Sequence, residues 1–316
     1  MGKQREQARM KGLMAMRIGI PRALLYYQYG SLWERFLSEL GAEVIVTGET
    51  TKATLDYGSA LDEVCLPVKV YFGHVYELCR QGVDVLFTPR LVSVAAGQYT
   101  CPKIIGMPDL LRSNLPNLPP LIDFSVSLRR GVHSLYQAIT GVGRLLGKGS
   151  LPTLAAWYRA WRHTRLNVPA ATLPAAARRV GLIAHPYLIH DRQISMRVVE
   201  RLQRLGVTVV TAETVTSCRA AAAAKTLGKK IFWSSSAHMA GAALSLMHEA
   251  PPVDGIIFMS SFACGPDALI GELISQRAYH RGVPCMLLTL DEHTAEAGFV
   301  TRLEAFTDML LRRNQS

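Results

Sequence analysis

The sequence predicts an α/β protein of two lobes, each built on a parallel sheet, joined by a basic helical connector and facing each other across a cleft. Three observations lead there. Short β-rich runs alternate with longer helical periods in two separate blocks, and a proline-rich then arginine-rich stretch divides the blocks. Glycines stand between a helical period and the next strand, where a left-handed C-terminal residue belongs. A chain of 316 residues, 49% hydrophobic and 19% charged, also exceeds the size at which one core keeps growing, so two domains follow.

Residues 1–15 form a basic, Met-rich tail without the apolar centre of a secretory signal, and the tail is expected to be disordered. The N-terminal lobe, 16–116, runs through strand MRIGI, a helix through Trp33 and Leu40, strand EVIVT, a helix from Val68 to Cys79, strand DVLFT and the run KIIG. Gly41 and Gly82 close its helices. The connector, 117–179, opens on NLPNLPPLID and continues as two helices broken at Gly147 to Pro152, with Trp157 and Trp161 expected as packing residues. The C-terminal lobe, 180–316, restarts the rhythm with VGLIA, VTVVT, KKIFW, DGIIFMS and PCMLLTL. Ligands of such sheets bind outside the carboxyl ends of the strands.

No apolar run approaches the ~20 residues of a membrane span, so a cytoplasmic protein is expected. In that reducing compartment the six cysteines read as buried, catalytic or metal-binding rather than as disulfides. The net charge of +11 is uneven, because nine Arg and Lys residues between Arg129 and Arg179 face the single acid Asp123. Such a stripe suits an acidic protein partner or a phosphorylated cofactor such as coenzyme A. A solvated helical face is the plainer account, and nucleic acid is not the expected partner.

Cys65-Leu-Pro67, Cys101-Pro102 and Cys264-Gly-Pro266 share a context that the other three cysteines lack. Proline suits the first turn of a helix, so each cysteine is expected at a helix N-terminus, where free N–H groups and the helix dipole favour the metal-binding thiolate. Three thiolates are one fewer than a closed iron-sulfur or zinc site needs, which leaves a coordination position open. Cys79, Cys218 and Cys285 read as small buried hydrophobes. Candidates for proton transfer are His74, on the helix after Cys65, and Glu292 and His293, just past strand MLLTL beside Asp291 and Glu296. The plainer readings are a structural histidine and a helix-capping acidic loop. Neither a GxxxxGK[ST] loop nor a GxGxxG after a strand occurs, which argues against a nucleotide site in this chain.

The segments IGIPRALLYY, EVCLPVKVYFGHV, FTPRLVSV, TCPKIIGMPDLLR, FACGPD and DEHTAEAGFVTRLEAF together resemble the acyl-CoA dehydratase activase-related proteins and, more distantly, 2-hydroxyacyl-CoA dehydratase subunits and double-cubane cluster proteins. Ala295 stands where that pattern would have glycine. The resemblance implies two Rossmann-like lobes and an iron-sulfur cluster on Cys65, Cys101 and Cys264. A 4Fe-4S cluster is expected, with a double-cubane cluster or zinc as alternatives. It further implies electrons from a separate ATP-dependent activase and an acyl-CoA or other small molecule as substrate of a dehydratase-like or reductase-like iron-sulfur enzyme. Two other functions stay open: a non-enzymatic electron relay or docking adaptor for an activase or dehydratase, and a metal-free two-lobed small-ligand-binding protein. Assembly as a homo-oligomer stays open too.

Overall fold

The computed structural model describes residues 15–166, 178–249 and 251–313. They fall into two compact units that interleave along the chain. The first comprises 15–48, Asp56–Gly58 and 70–166; the second comprises Glu49–Leu55, Ser59–Lys69 and 178–313. The expected residues 1–14 of the tail lie outside the described residues.

In the first unit β1 (Arg17–Ile20), α1 (Tyr26–Glu39) and β2 (Glu43–Val46) are followed by α2 (Lys52–Gly58) and α3 (Leu66–Arg80). Next come β3 (Val85–Phe87), β4 (Arg90–Ser93), α4 (Pro102–Ile105), α5 (Met107–Asn114), β5 (Leu121–Ile122), β6 (Ser125–Ser127), α6 (His133–Leu145) and α7 (Ser150–Leu166). The main sheet has the order β2-β1-β3-β5 and every pair in it is parallel. A parallel strand must return by a crossover, and α1 and α3 supply it, with Gly41 at φ +90° and Gly82 at φ +68° ending the helices ahead of β2 and β3.

The core joins Ile18 and Ile20 of β1 to Phe36 and Leu37 of α1 and to Ile139, Val142, Ala156 and Ala160 of α6 and α7. The helices expected as a connector thus pack into the first unit. Trp157 meets Phe36 edge to face at 5.2 Å, whereas Trp161 is exposed. Arg129, Arg130, Arg144, Lys148, Arg159 and Arg162 are exposed, and Arg159 pairs with Glu39.

The second unit continues with β7 (Arg178–Ile183), α8 (Pro186–His190), α9 (Val198–Arg204), β8 (Val207–Thr211), α10 (Ser217–Ala224), α11 (Ser234–His248), β9 (Gly255–Ser261), α12 (Gly265–Tyr279), β10 (Cys285–Leu290) and α13 (Glu296–Arg312). Its sheet, β8-β7-β9-β10, is parallel throughout, and all seven residues of β9 are buried, as befits a central strand covered on both faces. Strand for strand this is the order of the first unit. Both sheets therefore reverse direction between their first and third strands, at β1/β3 and at β7/β9, and there the crevice of a Rossmann-like unit opens.

Two expected strands are corrected. KIIG is helical, because Pro102 at the first position starts α4 and the fourth strand of the sheet is instead Leu121–Ile122 inside the proline-rich run. KKIFW connects rather than pairs as a strand: Gly228 is left-handed at φ +72° and α11 already starts at Ser234.

The tightest helix contact in the second unit is α10 on α11. A Cβ added at Gly241 would overlap the Ala220 carbonyl oxygen, a backbone atom that cannot swing aside. Gly241→Ala is expected to cost about 1–3 kcal/mol in urea unfolding, against an equal or higher midpoint for the same substitution at Gly298, a helical position with open space around it.

Candidate functional site

The carboxyl edge of the second sheet gathers most of the chemistry. His185 follows β7 and begins α8 before Pro186; Cys264 follows β9 and is the N-cap of α12, with Pro266 in the first turn. These two strands flank the reversal point, so the residues stand on either side of the crevice. Asp267, in the first turn of α12, is 1% exposed. Its Oδ1 accepts a hydrogen bond from His185 Nε2 at 3.0 Å, while Oδ2 is buried with no partner among the described residues. The His185 ring stacks on Tyr187 with centroids 4.8 Å apart.

Cys65 joins this group because its segment, Ser59–Lys69, packs with the second unit rather than with the first lobe, where the order of the strands put it. Cys65 ends immediately before α3, and its carbonyl accepts from Val68 N at 2.9 Å. Two polar contacts seat the stretch. The Lys69 ammonium contacts the Glu292 carboxylate just past β10. Upstream, the buried Thr50 hydroxyl donates to Asp191 Oδ2 at 2.5 Å, while Asp191 Oδ1 accepts from Gln193 N and Ile194 N. Both cysteines sit behind backbone in the left-handed region, Glu63 at φ 54° and Ala263 at φ 62°. For such residues that conformation is strained and is held only by its surroundings.

Electrostatics correct one expectation. Burial pushes the Cys264 thiol well up; the Asp267 carboxylate and Cys65 push it further, while the Asp267 backbone N–H works the other way. In these surroundings burial, first, and the Asp267 carboxylate favour the thiol over the thiolate. Glu292 is held below the ordinary carboxylate range, chiefly by its hydrogen bond with Lys69. The loop around it is ordered by Asp291, whose Oδ1 accepts from His293 N at 3.0 Å and Thr294 Oγ1 at 2.7 Å, and Glu296 pairs with Arg201.

Cys101 belongs to the first unit, as N-cap of the short helix α4. Thr100 anchors it on β4 through the Leu91 and Val92 carbonyls, and Arg90 grips Asp109 of α5 with two hydrogen bonds of 2.7 and 2.8 Å. All three Cys-Pro contexts therefore start helices. His74 lies in the first unit with no exposed surface, and burial, helped by Arg22, lowers its pKa to about 4. Its surroundings are those of a structural histidine. Among the remaining cysteines, burial raises Cys79 and lifts Cys285 to about 11, and Cys218 is exposed.

Among the described residues no three of His, Cys, Asp and Glu are grouped so as to hold a metal ion, and no helix is long and apolar enough to cross a membrane. His185 and Asp267 were not singled out from the sequence. The signal was present, since His185-Pro186 repeats the Cys-Pro arrangement at the matching strand end and Asp267 completes CGPD.

Residues 17–215, more than half of the chain, match a family described as "CoA enzyme activase uncharacterised domain". A search of curated proteins returns no match.

Two outcomes follow from these environments. With a native pKa of about 4 against 6.5, His74 binds its proton only in the unfolded chain across that interval, so stability falls as pH drops from 6.5 towards 4. In His74→Gln the loss between pH 7 and 4, measured by urea unfolding, should be smaller by roughly 3 kcal/mol. Asp267→Asn removes a charge that holds Cys264 protonated, so alkylation of Cys264 by iodoacetamide at pH 8, followed by peptide mass spectrometry, should quicken several-fold. An unchanged rate would mean that Asp267 does not govern this thiol.

Proposed function

Because the chain belongs to the CoA enzyme activase uncharacterised-domain family, we propose that it is a redox partner in activating a CoA-dependent enzyme and that it carries an iron-sulfur cluster on Cys65, Cys101 and Cys264. The observation that carries this reading is the pair Cys65 and Cys264. Both stand at helix N-termini beside the carboxyl edge of a parallel sheet, and Cys65 is among the groups that raise the Cys264 thiol.

Of the donor set, Cys65 and Cys264 suit the group, and Cys101 completes it in this reading. Sulfur ligands suit iron-sulfur clusters, and burial around Cys264 supplies the low-dielectric shell that tunes a potential. When bound, the cluster supplies one-electron chemistry. The chain does the rest. Cys264 must give up a proton that its surroundings retain, so loading releases protons and improves as pH rises. The Asp267 carboxylate adjoins that thiol, and its hydrogen bond from His185 fixes its orientation. Lys69, paired with Glu292, brings positive charge to the helix turn that follows Cys65 and offsets part of the negative charge of a thiolate cluster. In this reading the electron donor is an ATP-dependent activase, and the exposed arginines of α6 and α7 offer it a basic face.

Iron and acid-labile sulfide, measured with the visible spectrum on protein purified without oxygen, test the reading. About four irons and four sulfides per chain are expected, depleted in Cys65→Ser and in Cys264→Ser. Colourless, iron-free protein after anaerobic reconstitution, or zinc without sulfide, would sink it.

A further inference from the structure

The first turn after β1 carries a cation that the fold leaves unpaired. β1 ends at Ile20, and Pro21 and Arg22 follow it at the carboxyl edge of the first sheet, the edge on which parallel sheets bind ligands. The turn is firmly held. Arg22 N donates to Thr47 Oγ1 at 2.9 Å, and Thr47, just past β2, is 2% exposed. Ala23 N donates back to the Pro21 carbonyl at 2.9 Å, and the next residue, Leu24, is fixed at φ 51°. The Arg22 side chain therefore leaves a backbone that is anchored at its root.

That side chain is half-buried without a carboxylate. Its Nε is shut off from solvent with no hydrogen-bond partner, whereas the two terminal nitrogens keep accessible surface and hold no hydrogen bond or ion pair among the described residues. Arg90, Arg178 and Arg201 are half-buried too, and each pairs with an acid: Asp109, Asp254 and Glu296. A guanidinium drawn out of water with no anion beside it loses hydration that nothing in the chain replaces. The groups on which Arg22 acts do not supply the missing charge. Burial, and then Arg22, lowers the pKa of His74 in α3 to about 4, so this imidazole is neutral at neutral pH. Tyr26 of α1 also feels Arg22, but burial and Glu34 keep its phenol protonated, and the Tyr26 hydroxyl donates to Glu34 Oε1 at 2.7 Å. Glu34 itself makes no ion pair with Arg22.

The geometry of the guanidinium defines the occupant. With Nε shut in, the two terminal nitrogens remain to grip a ligand, and side by side they match the two oxygens of one carboxylate. A single fixed positive charge beside a neutral imidazole suits a single negative charge, and a dianion would leave charge unbalanced at a half-buried place. We propose that Arg22 anchors a binding site for the carboxylate of a small monocarboxylic acid at the carboxyl edge of the first sheet. Because the terminal nitrogens face solvent, the affinity is modest. The site lies within the first unit and uses none of the three cysteines, so its test does not depend on whether a cluster is bound.

Propionate is a suitable probe, with propionamide as its neutral counterpart, in ligand-observed NMR titrations of the full chain at neutral pH and constant ionic strength. The wild-type protein should bind propionate in the millimolar range and propionamide about tenfold more weakly. Arg22→Gln should weaken propionate about tenfold, and Arg22→Lys, which keeps the charge but not the planar fork, about threefold. Arg302→Gln, at an exposed arginine of α13, should leave the affinity unchanged. Sulfate should displace propionate only at about tenfold higher concentration than propionate itself requires. If Arg22→Gln does not fold, Arg22→Lys and the propionamide comparison still decide the matter. Absence of propionate binding to the wild type, undiminished binding by the Arg22 variants, an equal loss in Arg302→Gln, propionamide binding as tightly as propionate, or sulfate competing on equal terms would each overturn the proposal.

Discussion

The chemistry of the second unit depends on how the stretch around Cys65 is held there. Nothing in β1 to β3 requires residues 49–55 and 59–69 to leave the first unit. They are retained by the buried Thr50–Asp191 hydrogen bond at one end and by Lys69 on Glu292 at the other. A hydrogen bond to a buried carboxylate is among the stronger polar contacts, because an Asp191 that lost it would keep its charge away from water. Asp191 answers for local order too, since its second oxygen caps the turn through Gln193 and Ile194. The same carboxylate thus shapes the loop after α8 and fixes the neighbourhood in which Cys65 meets Cys264.

Much of the fold was legible because parallel strands buried on both faces carry dense β-branched and aliphatic runs. GIIFMSS and VGLI could hardly be read otherwise, and the glycines ahead of β2 and β3 mark helix ends with a backbone conformation that other residues avoid. KIIG and KKIFW failed for a physical reason. A run of three or four apolar residues has no period, so Pro102 and the Gly228 turn decide, and both act on the backbone rather than on hydrophobicity. The expected connector has two faces: helices α6 and α7 look like a solvated basic stripe from one side, while Ile139, Val142 and Trp157 on the other complete the first core.

At the site, local signals carried well and non-local ones did not. Cysteine before proline announces a helix start through geometry confined to a few residues, and all three starts are present. The company each cysteine keeps is set by distant segments. The Asp267 carboxylate, the His185 ring and the burial that holds Cys264 protonated come from separate strand ends, and no spacing in the sequence encodes their approach. His185-Pro186 and Cys264-Gly-Pro266 occupy matching ends of the first and third strands of one sheet, a correspondence visible only once the strand order is known.

The interleaving of the two units bears on how the chain is made. A ribosome releases β1, β2 and the stretch 49–69 long before β7 and Asp191 exist, so Thr50 and Lys69 emerge without the groups that receive them. The first unit can bury Ile18 and Phe36 once α7 has emerged, yet during that interval it must carry Cys65 on an undocked excursion. Closing that long loop is an entropic cost deferred until the second unit has emerged. In the nascent protein Cys65 is therefore a thiol that waits long for its native surroundings and stays open to oxidation until Cys264 arrives.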